Sequence, residues 1–142
     1  MREILFRAKA KDDRKWIEGF PVRIYDYGGK VWEMHPFETN FNVICGVIPE
    51  TIGQFTGLTD KNGKKIFEGD IVHILGNQQV EDWKNVDYTA LIAFLDGGFC
   101  AIDGTVEEHG FRRYALARMD FDMEVIGNIH DNPELLGGTE DG

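Results

Sequence analysis

The sequence predicts a mainly β fold, in which short antiparallel strands form a rolled sheet or a small SH3-like barrel with little helix. The 142 residues include 17 glycines and 4 prolines, a composition typical of short strands joined by tight turns. Alternation of apolar and polar residues recurs along the chain, and turn-forming residues separate about eight to ten such runs. Hydrophobic residues make up 42% of the chain, which is enough for a folded core without disulfides or metal.

The N-terminal part of the chain contains several predicted strands. Residues 3–10 alternate, with Ile4, Phe6 and Ala8 on one face and Leu5 as an apolar exception on the other. The polar residues 11–14 predict a hairpin turn, followed by a return strand at 15–18. Glycine and proline at 19–21 predict a break in this strand, which resumes at 22–25.

Residues 31–48 predict two strands separated by an irregular connection. Val31 and Trp32 are typical of a short strand, and residues 33–39 predict an irregular connection. Residues 40–48 predict a further strand, with the side chains of the odd-numbered residues 43, 45 and 47 on one face.

The most distinctive stretch covers residues 54–72 and reads QFTGLTDKNGKKIFEGDIV. Its two strand-like runs flank the turn DKNG, because Asn and Gly accept the positive φ that hairpin turns require. A second turn, EGD, leads into an apolar strand, and its aspartate can cap the turn by accepting backbone hydrogen bonds. The residues predicted to shape these turns are Gly57, Asn62, Gly63, Gly69 and Asp70.

The second half of the chain predicts a strand at 88–95 that is long enough to cross a core, and a hairpin partner at 99–102. Residues 106–118 are ambiguous, because their apolar positions fit one helical face while Gly110 weakens a helix.

The C-terminal part returns to strand alternation over residues 119–129. A short helical turn is predicted at 132–136, with Asn132 as N-cap and Pro133 at the first helical position. We expect one domain over residues 1–136, with an N-terminal lobe at 1–50 and a barrel-like lobe at 51–136. Residues 137–142 predict a mobile acidic tail.

The charge distribution argues against a phosphate-binding surface. The net charge is −10, with an excess of three positive charges in residues 1–30 and of thirteen negative charges in the rest. Nucleic-acid affinity depends on Lys and Arg, so only a local basic patch would provide it. The candidate patch consists of Arg2, Arg7, Lys9, Lys11, Arg14 and Lys15, and a solvated strand face is the alternative that we favour.

The two cysteines and the N-terminal residues indicate the cellular compartment. Cys45 and Cys100 each lie in an apolar run, which predicts two free, buried thiols in a reducing compartment. The N-terminus has no apolar core of the kind that signal peptides need, and no apolar run is long enough to span a membrane. We therefore expect a cytoplasmic protein.

Two groups of residues are candidates for chemistry. Asp120, Asp122 and Glu124 alternate along a strand and would share a face, where carboxylates can bind a divalent cation. We favour a solvated strand face, because carboxylates along one strand are too far apart for one ion. His109 follows two glutamates, which could supply a general base, although such a run is typical of an acidic loop.

The remaining histidines do not have metal-ligand spacing. His73 would share a strand face with Ile71 and Leu75, which predicts a core or edge residue. The sequence has no phosphate-binding glycine loop and no nucleophile elbow. We therefore predict no catalytic residue, no metal ligand and no cofactor.

Three segments resemble the YopX protein family of bacteriophages and prophages. They are the start MREILFRAKAKDDRKWIEG, the middle FTGLTDKNGKKIFEGDIV and the end EVIGNIHDNPELL. The resemblance implies a mostly β fold in a phage- or prophage-encoded protein of the bacterial host cytoplasm. It implies no reaction, cofactor or catalytic residue.

The sequence favours a non-catalytic protein-binding module whose partner is another protein or a second copy of itself, because the chain is acidic and predicts many edge strands. The alternative is an SH3-like β module that binds nucleic acid, since IFEGDIVHILG resembles the first strand of such barrels. The least supported hypothesis is a small hydrolase or metal-binding protein that acts through Glu107, His109 or the Asp120 face.

Overall fold

Antiparallel strands form most of the chain that the structure describes. A computed structural model describes residues 4–25, 30–36, 44–76, 87–95, 97–103, 112–115 and 121–136. The strands are β1 (Phe6–Lys9), β2 (Trp16–Tyr25), β3 (Lys30–Pro36), β4 (Cys45–Gly46), β5 (Gly53–Thr59), β6 (Lys65–Phe67), β7 (Asp70–Gly76), β8 (Asp87–Leu95), β9 (Gly98–Asp103), β10 (Arg112–Ala115) and β11 (Phe121–Asn128). Short 3-10 turns lie at Pro49–Thr51 and Pro133–Leu136.

The chain divides into two compact units, Met1–Gly57 and Leu58–Gly142. In the first unit the strands follow the order β4-β3-β2-β1-β5. Strand β5 spans the boundary between Gly57 and Leu58, and it pairs with β6 of the second unit. In the second unit the remaining strands form a sheet with the order β10-β9-β8-β7-β11.

The β1–β2 hairpin has the predicted turn but a longer second strand than predicted. Strand β2 runs unbroken from Trp16 to Tyr25, so the predicted break at 19–21 is wrong. Gly19 lets the strand continue, because a Cβ at this position would overlap the carbonyl oxygen of His35 on the neighbouring strand. The register shifts between Pro21 and Arg23, and this bulge accommodates a proline within the sheet.

The first sheet rolls around a small core. Strand β4 pairs with β3 on one side, and a bridge between Val47 and Ala10 joins the next residues to the end of β1. Backbone hydrogen bonds of 2.8 Å from Lys11 N–H to Gly46 and of 3.0 Å from Ile48 N–H to Lys9 hold this contact. The roll encloses the buried residues Ala8, Met34 and Val47, with Phe6, Ile17 and Ile52 packed against them.

Two predictions in this region need correction. Strand β3 extends to Pro36, so the irregular segment predicted at 33–39 is wrong up to that residue. Within the described residues 44–48, the strand predicted at 40–48 is limited to Cys45–Gly46 and the bridge at Val47, because Pro49 begins a 3-10 turn. Residues 37–43 lie outside the described chain.

Strand β7 is an interior strand of the second sheet, next to the edge strand β11. Strand β7 pairs with β8 on one side and β11 on the other, and its alternate residues Val72 and Ile74 enter the core. The core also contains Ile66, Ala90, Ile92, Ala101 and Met123. Strand β10 occupies Arg112–Ala115, so the helical alternative for 106–118 is wrong there, and the other residues of that segment lie outside the described chain.

The C-terminal turn begins at Pro133, as predicted. The Asn132 carbonyl accepts a hydrogen bond from Leu135 N–H at 3.0 Å, and the Asn132 side-chain oxygen accepts one from Asn128 N–H at 3.3 Å. The predicted acidic tail at 137–142 lies outside the described residues.

The prediction of a mainly β fold with short antiparallel strands and little helix is confirmed. The described strands do not close into a barrel, so a rolled sheet is the form that fits.

Candidate functional site

Of the residues predicted to shape the two turns of 54–72, Gly57 lies within β5, Asn62 and Gly63 lie between β5 and β6, Gly69 lies between β6 and β7, and Asp70 begins β7. Gly57, Gly63 and Gly69 have φ angles of 91°, 83° and 94°. A Cβ on Gly63 would meet nothing within 4 Å, so the backbone conformation alone accounts for glycine there. Asn62 contributes its backbone N–H to the turn, 2.8 Å from the carboxylate of Asp60.

Asp60 organises the DKNG turn through both oxygens of its carboxylate. One oxygen accepts hydrogen bonds from Asn62 N–H at 2.8 Å and Lys64 N–H at 2.9 Å. The other oxygen accepts a 2.9 Å hydrogen bond from Val125 N–H on β11. Asp60 is only 7% exposed, so the turn depends on a buried carboxylate.

The environment of Asp60 favours its charged form. Burial raises the pKa of this carboxyl group, because the charged form loses contact with water. Hydrogen bonds from the N–H groups of Val125, Lys64 and Asn62, together with the Lys64 charge, outweigh burial and hold the pKa of Asp60 below its ordinary value. The carboxylate is therefore charged at neutral pH and accepts all three bonds.

A second backbone contact joins the same turn to β11. Lys61 N–H donates a 2.9 Å hydrogen bond to the carbonyl oxygen of Met123. We call this pair of contacts, from Asp60 and Lys61 to Met123 and Val125, the Asp60 clasp. The clasp lies on the outer edge of the sheet, since β11 is the last strand in the sheet order.

Asp70 holds the second turn. Its carboxylate accepts a 2.8 Å hydrogen bond from Phe67 N–H, and the residue is 1% exposed. Gly69 donates its N–H to the Ile92 carbonyl and accepts from Ile129 N–H, each at 2.8 Å. Both turns of the central stretch therefore connect strands of the second unit.

The open face of the second sheet carries a small polar group. His73 lies on the interior strand β7, and its Nε2 is 2.7 Å from a carboxylate oxygen of Asp87 on β8. Glu124 is the register partner of His73 on β11 and lies 3.7 Å from the Lys61 ammonium. The prediction of a core or edge histidine is wrong, because the side chain is 40% exposed and β7 has a partner strand on each side.

The acidic row on β11 follows the predicted alternation where the structure describes it. Met123 is buried in the core, while Asp122 is exposed and Glu124 is half-buried. The described residues contain no group of three or more His, Cys, Asp or Glu side chains that could hold a metal ion. Asp120, Glu107 and His109 lie outside the described residues.

The first unit presents a cationic and aromatic group on β1 and β2. The Arg7 guanidinium lies 4.5 Å from the centre of the Trp16 ring, and the Lys9 ammonium lies 5.6 Å from it. Both distances are in the range of cation–π attraction. The hairpin residues Lys11, Arg14 and Lys15 are exposed, and Arg2 lies outside the described residues.

Three large apolar side chains of the first unit are each 46% exposed: Phe20, Val22 and Ile44. Phe20 pairs with His35, and Ile44 immediately precedes Cys45, the partner of Met34. Phe20 and Ile44 therefore flank β3 in one row, about 10 Å apart at strand spacing. Val22 lies at the bulge of β2. We call these three residues the Phe20 patch.

The family model described as YopX protein matches residues 5–137 of this chain. The chain belongs to the YopX family. The crystal structure of protein EF1440 from Enterococcus faecalis is similar to it, with 26% sequence identity and a TM-score of 0.55. The similarity covers 96% of this chain and 99% of that chain. No curated protein matches the sequence.

Among the described residues of this YopX-family chain, no helix is long and apolar enough to cross a membrane. This match confirms the family that the start, the middle and the end of the sequence resemble.

Sequence reasoning missed two of the side chains that the fold brings into contact. The DKNG pattern predicts a turn, and an Asp two residues before Asn-Gly is itself a signal for a carboxylate that accepts turn N–H groups. Asp87 has no such local signal, because its contact with His73 depends on strand pairing.

Proposed function

We propose that this protein is a non-catalytic protein-binding module, encoded by a bacteriophage or prophage and acting in the cytoplasm of the bacterial host. The Phe20 patch carries the proposal. Its three apolar side chains are each 46% exposed, and grouped apolar side chains at a surface are typical of protein contact sites. The partner is a protein with an apolar contact surface, which includes a second copy of this chain.

Charge favours a protein partner over a phosphate backbone. The first unit contains eight Lys or Arg and eight Asp or Glu, so its net charge is zero. An apolar contact at the patch therefore forms without strong repulsion of either sign. Trp16 and Arg7, residue types enriched at energetically important interface positions, lie on the same hairpin.

Location in a reducing compartment agrees with the state of the thiols. Cys45 and Cys100 are both free cysteines, and Cys100 is buried. Free thiols are usual in cytosolic proteins and rare in secreted ones.

The test compares Phe20→Asp with a matched control, Phe94→Asp. Phe94 is 48% exposed, close to the 46% of Phe20, but lies in the second unit. Wild-type and variant proteins are immobilised and exposed to lysate of the phage-carrying host and, separately, to purified wild-type protein. We expect Phe20→Asp alone to lose the bound protein. Equal capture by Phe20→Asp, or no capture by wild type, would reject the proposal.

The cationic group on β1 favours a second candidate, an SH3-like nucleic-acid-binding module. Arg7 and Lys9 lie at Trp16, and cations beside an aromatic ring are typical of single-strand binding surfaces. Fluorescence anisotropy with single-stranded DNA at about 50 mM salt tests it, since electrostatic binding is strong at low salt. Binding that weakens with salt and disappears in Trp16→Ala would favour this candidate.

A further inference from the structure

The exposed tip of the DKNG turn places an asparagine directly before a glycine. Asn62 and Gly63 are both exposed, and a Cβ on Gly63 would meet nothing within 4 Å, so water reaches the bond between them. An asparagine side chain can react with the backbone nitrogen of the next residue, and glycine permits this best because it has no side chain to obstruct the approach. The pair is therefore a candidate site for a covalent change that needs no enzyme.

The reaction is deamidation through a cyclic imide. The backbone nitrogen of Gly63 gives up its proton and bonds to the side-chain carbonyl carbon of Asn62, whose NH₂ group takes up a proton and leaves as ammonia. Water then opens the ring at one of its two carbonyl carbons, so one water is consumed for each ammonia released. The product is aspartate or isoaspartate at position 62, and isoaspartate carries an extra carbon atom in the backbone.

The folded turn restrains the attacking nitrogen. Gly63 N–H donates a 2.9 Å hydrogen bond to the backbone carbonyl of Asp60, and this bond must break before the nitrogen can attack. On either side of it, the N–H groups of Asn62 and Lys64 donate to one Asp60 carboxylate oxygen at 2.8 Å and 2.9 Å. Asp60 therefore opposes the backbone rotation that ring closure requires.

We propose that Asn62 is a site of spontaneous deamidation, that the Asp60 hydrogen bonds slow the reaction in the folded protein, and that the isoaspartate product loosens the Asp60 clasp. The extra backbone atom would lie between two N–H groups that share one carboxylate oxygen, so both bonds cannot keep their present geometry. The other oxygen of that carboxylate accepts from Val125 N–H, so the change in the turn extends to β11. This inference does not rest on the Phe20 patch, which lies in the other unit.

The test begins with the wild-type protein, kept at neutral pH in its folded state and, in parallel, unfolded in guanidinium chloride. Peptide mapping by mass spectrometry measures the conversion at position 62. The decisive variant is Asp60→Ala, which keeps the backbone carbonyl but loses the carboxylate bonds to Asn62 and Lys64. The control is Ile92→Ala, which destabilises the core of the same unit but lies on β8, a strand that does not pair with β11.

We expect the unfolded wild type to convert at least roughly tenfold faster than the folded protein, because opening the turn breaks at least one hydrogen bond. Folded Asp60→Ala should convert roughly tenfold faster than folded wild type, while Ile92→Ala keeps the wild-type rate. The isoaspartate form of the wild type is then separated by ion-exchange chromatography. Its Val125 amide should exchange with solvent roughly tenfold faster than in the parent, as for the loss of one hydrogen bond.

Three results would overturn the protection by Asp60: equal rates in folded and unfolded wild type, a folded Asp60→Ala protein that is no faster than wild type, or equal acceleration by Ile92→Ala. The last result would mean that the reaction requires unfolding of the whole unit. An isoaspartate form with unchanged protection of Val125 would overturn the loosening of the clasp.

A milder variant keeps the test decisive if Asp60→Ala does not fold. Asp60→Ser retains a hydroxyl that accepts turn N–H groups more weakly than a carboxylate, and it should accelerate conversion at position 62 by a smaller factor. No acceleration in a folded Asp60→Ser protein would overturn the inference. None of these readouts involves capture by the Phe20 patch, so the proposed function can fail or stand independently.

Discussion

The two units of this protein differ in where they place apolar and charged groups. The first unit has zero net charge and exposes the Phe20 patch, while the second unit has a net charge of −10. The second unit also buries two carboxylates, Asp60 and Asp70, each of which accepts backbone hydrogen bonds. The proposed binding patch and the two buried carboxylates thus lie in different units.

The two units also differ in the hydrogen bonds that stabilise them. The first sheet rolls until β4 contacts the end of β1, so backbone pairing surrounds its small core. The second unit joins the DKNG turn to the distant strand β11 through the Asp60 carboxylate, while the Asp70 carboxylate bonds within its own turn. Part of the stability of the second unit should therefore depend on pH through Asp60.

The largest expected effect comes from truncating the two cores. Met34 and Ile74 are fully buried in the first and second units, and Met34→Ala or Ile74→Ala should each lower the free energy of unfolding by about 2–5 kcal/mol. Because β5 belongs to both units, we expect one cooperative transition that both variants shift. Two separate transitions in calorimetry, each moved by one variant, would instead show that the units unfold independently.

Asp60→Ala should destabilise the protein by about 2–3 kcal/mol at neutral pH. The substitution leaves the N–H groups of Asn62, Lys64 and Val125 without their acceptor. Urea unfolding measures the loss, with Asp122→Ala as control, since Asp122 is exposed on β11 and should change stability little. A loss no larger than that of the control would show that the clasp does not stabilise the second unit.

The contribution of Asp60 should also depend on pH. Because the folded pKa lies below the ordinary value of 3.8, the carboxylate stabilises the protein fully above that value, and the effect is lost as pH falls through the folded pKa. The stability difference between wild type and Asp60→Asn should therefore stay constant from neutral pH to about 4 and shrink below it. A difference that instead grows as the pH falls from neutral would place the folded pKa above the ordinary one.

A smaller effect is expected at the cationic group of the first unit. Arg7→Met removes the guanidinium that lies 4.5 Å from Trp16 but keeps an apolar side chain, and should cost about 0.5–1 kcal/mol. A double-mutant cycle with Trp16→Leu isolates the pair. A coupling energy of zero would show that Arg7 acts through other contacts.

The smallest effect is expected for His73 and Asp87. Their side chains are 40% and 68% exposed, so Asp87→Asn should change stability by less than about 1 kcal/mol, with a change that decreases as salt is added. A larger, salt-independent loss would mean that this pair has a structural role comparable to that of Asp60.

Sequence reasoning succeeds where the cause of a structure is local. The positive φ of Gly63 and Gly69 is a property of single residues in the connections that flank β6, where the turn pattern is local, whereas Gly57 has its positive φ within β5. The contact between Asp60 and Val125 joins residues 65 positions apart, so no local pattern contains it. The His73–Asp87 contact likewise follows only from the register of β7 against β8.

The boundaries of the strands also depend on contacts that a local sequence pattern does not contain. Local propensity predicts a break at Gly19 and Pro21, yet β2 continues because its partner β3 fits closely against Gly19 and a bulge accommodates the proline. Pairing with a neighbour thus overrides the propensity of the segment.

The positive φ of Gly63 favours a D-amino acid over an L-amino acid at that position. An L-alanine at φ of 83° would be strained, but a D-alanine has its mirror-image preference there. Nothing lies within 4 Å of a Cβ built in the L configuration, which indicates an open, exposed site. A D-alanine installed at Gly63 by chemical ligation should therefore restrict the unfolded chain without straining the turn. Chirality alone would then separate a more stable protein from a less stable one of identical composition.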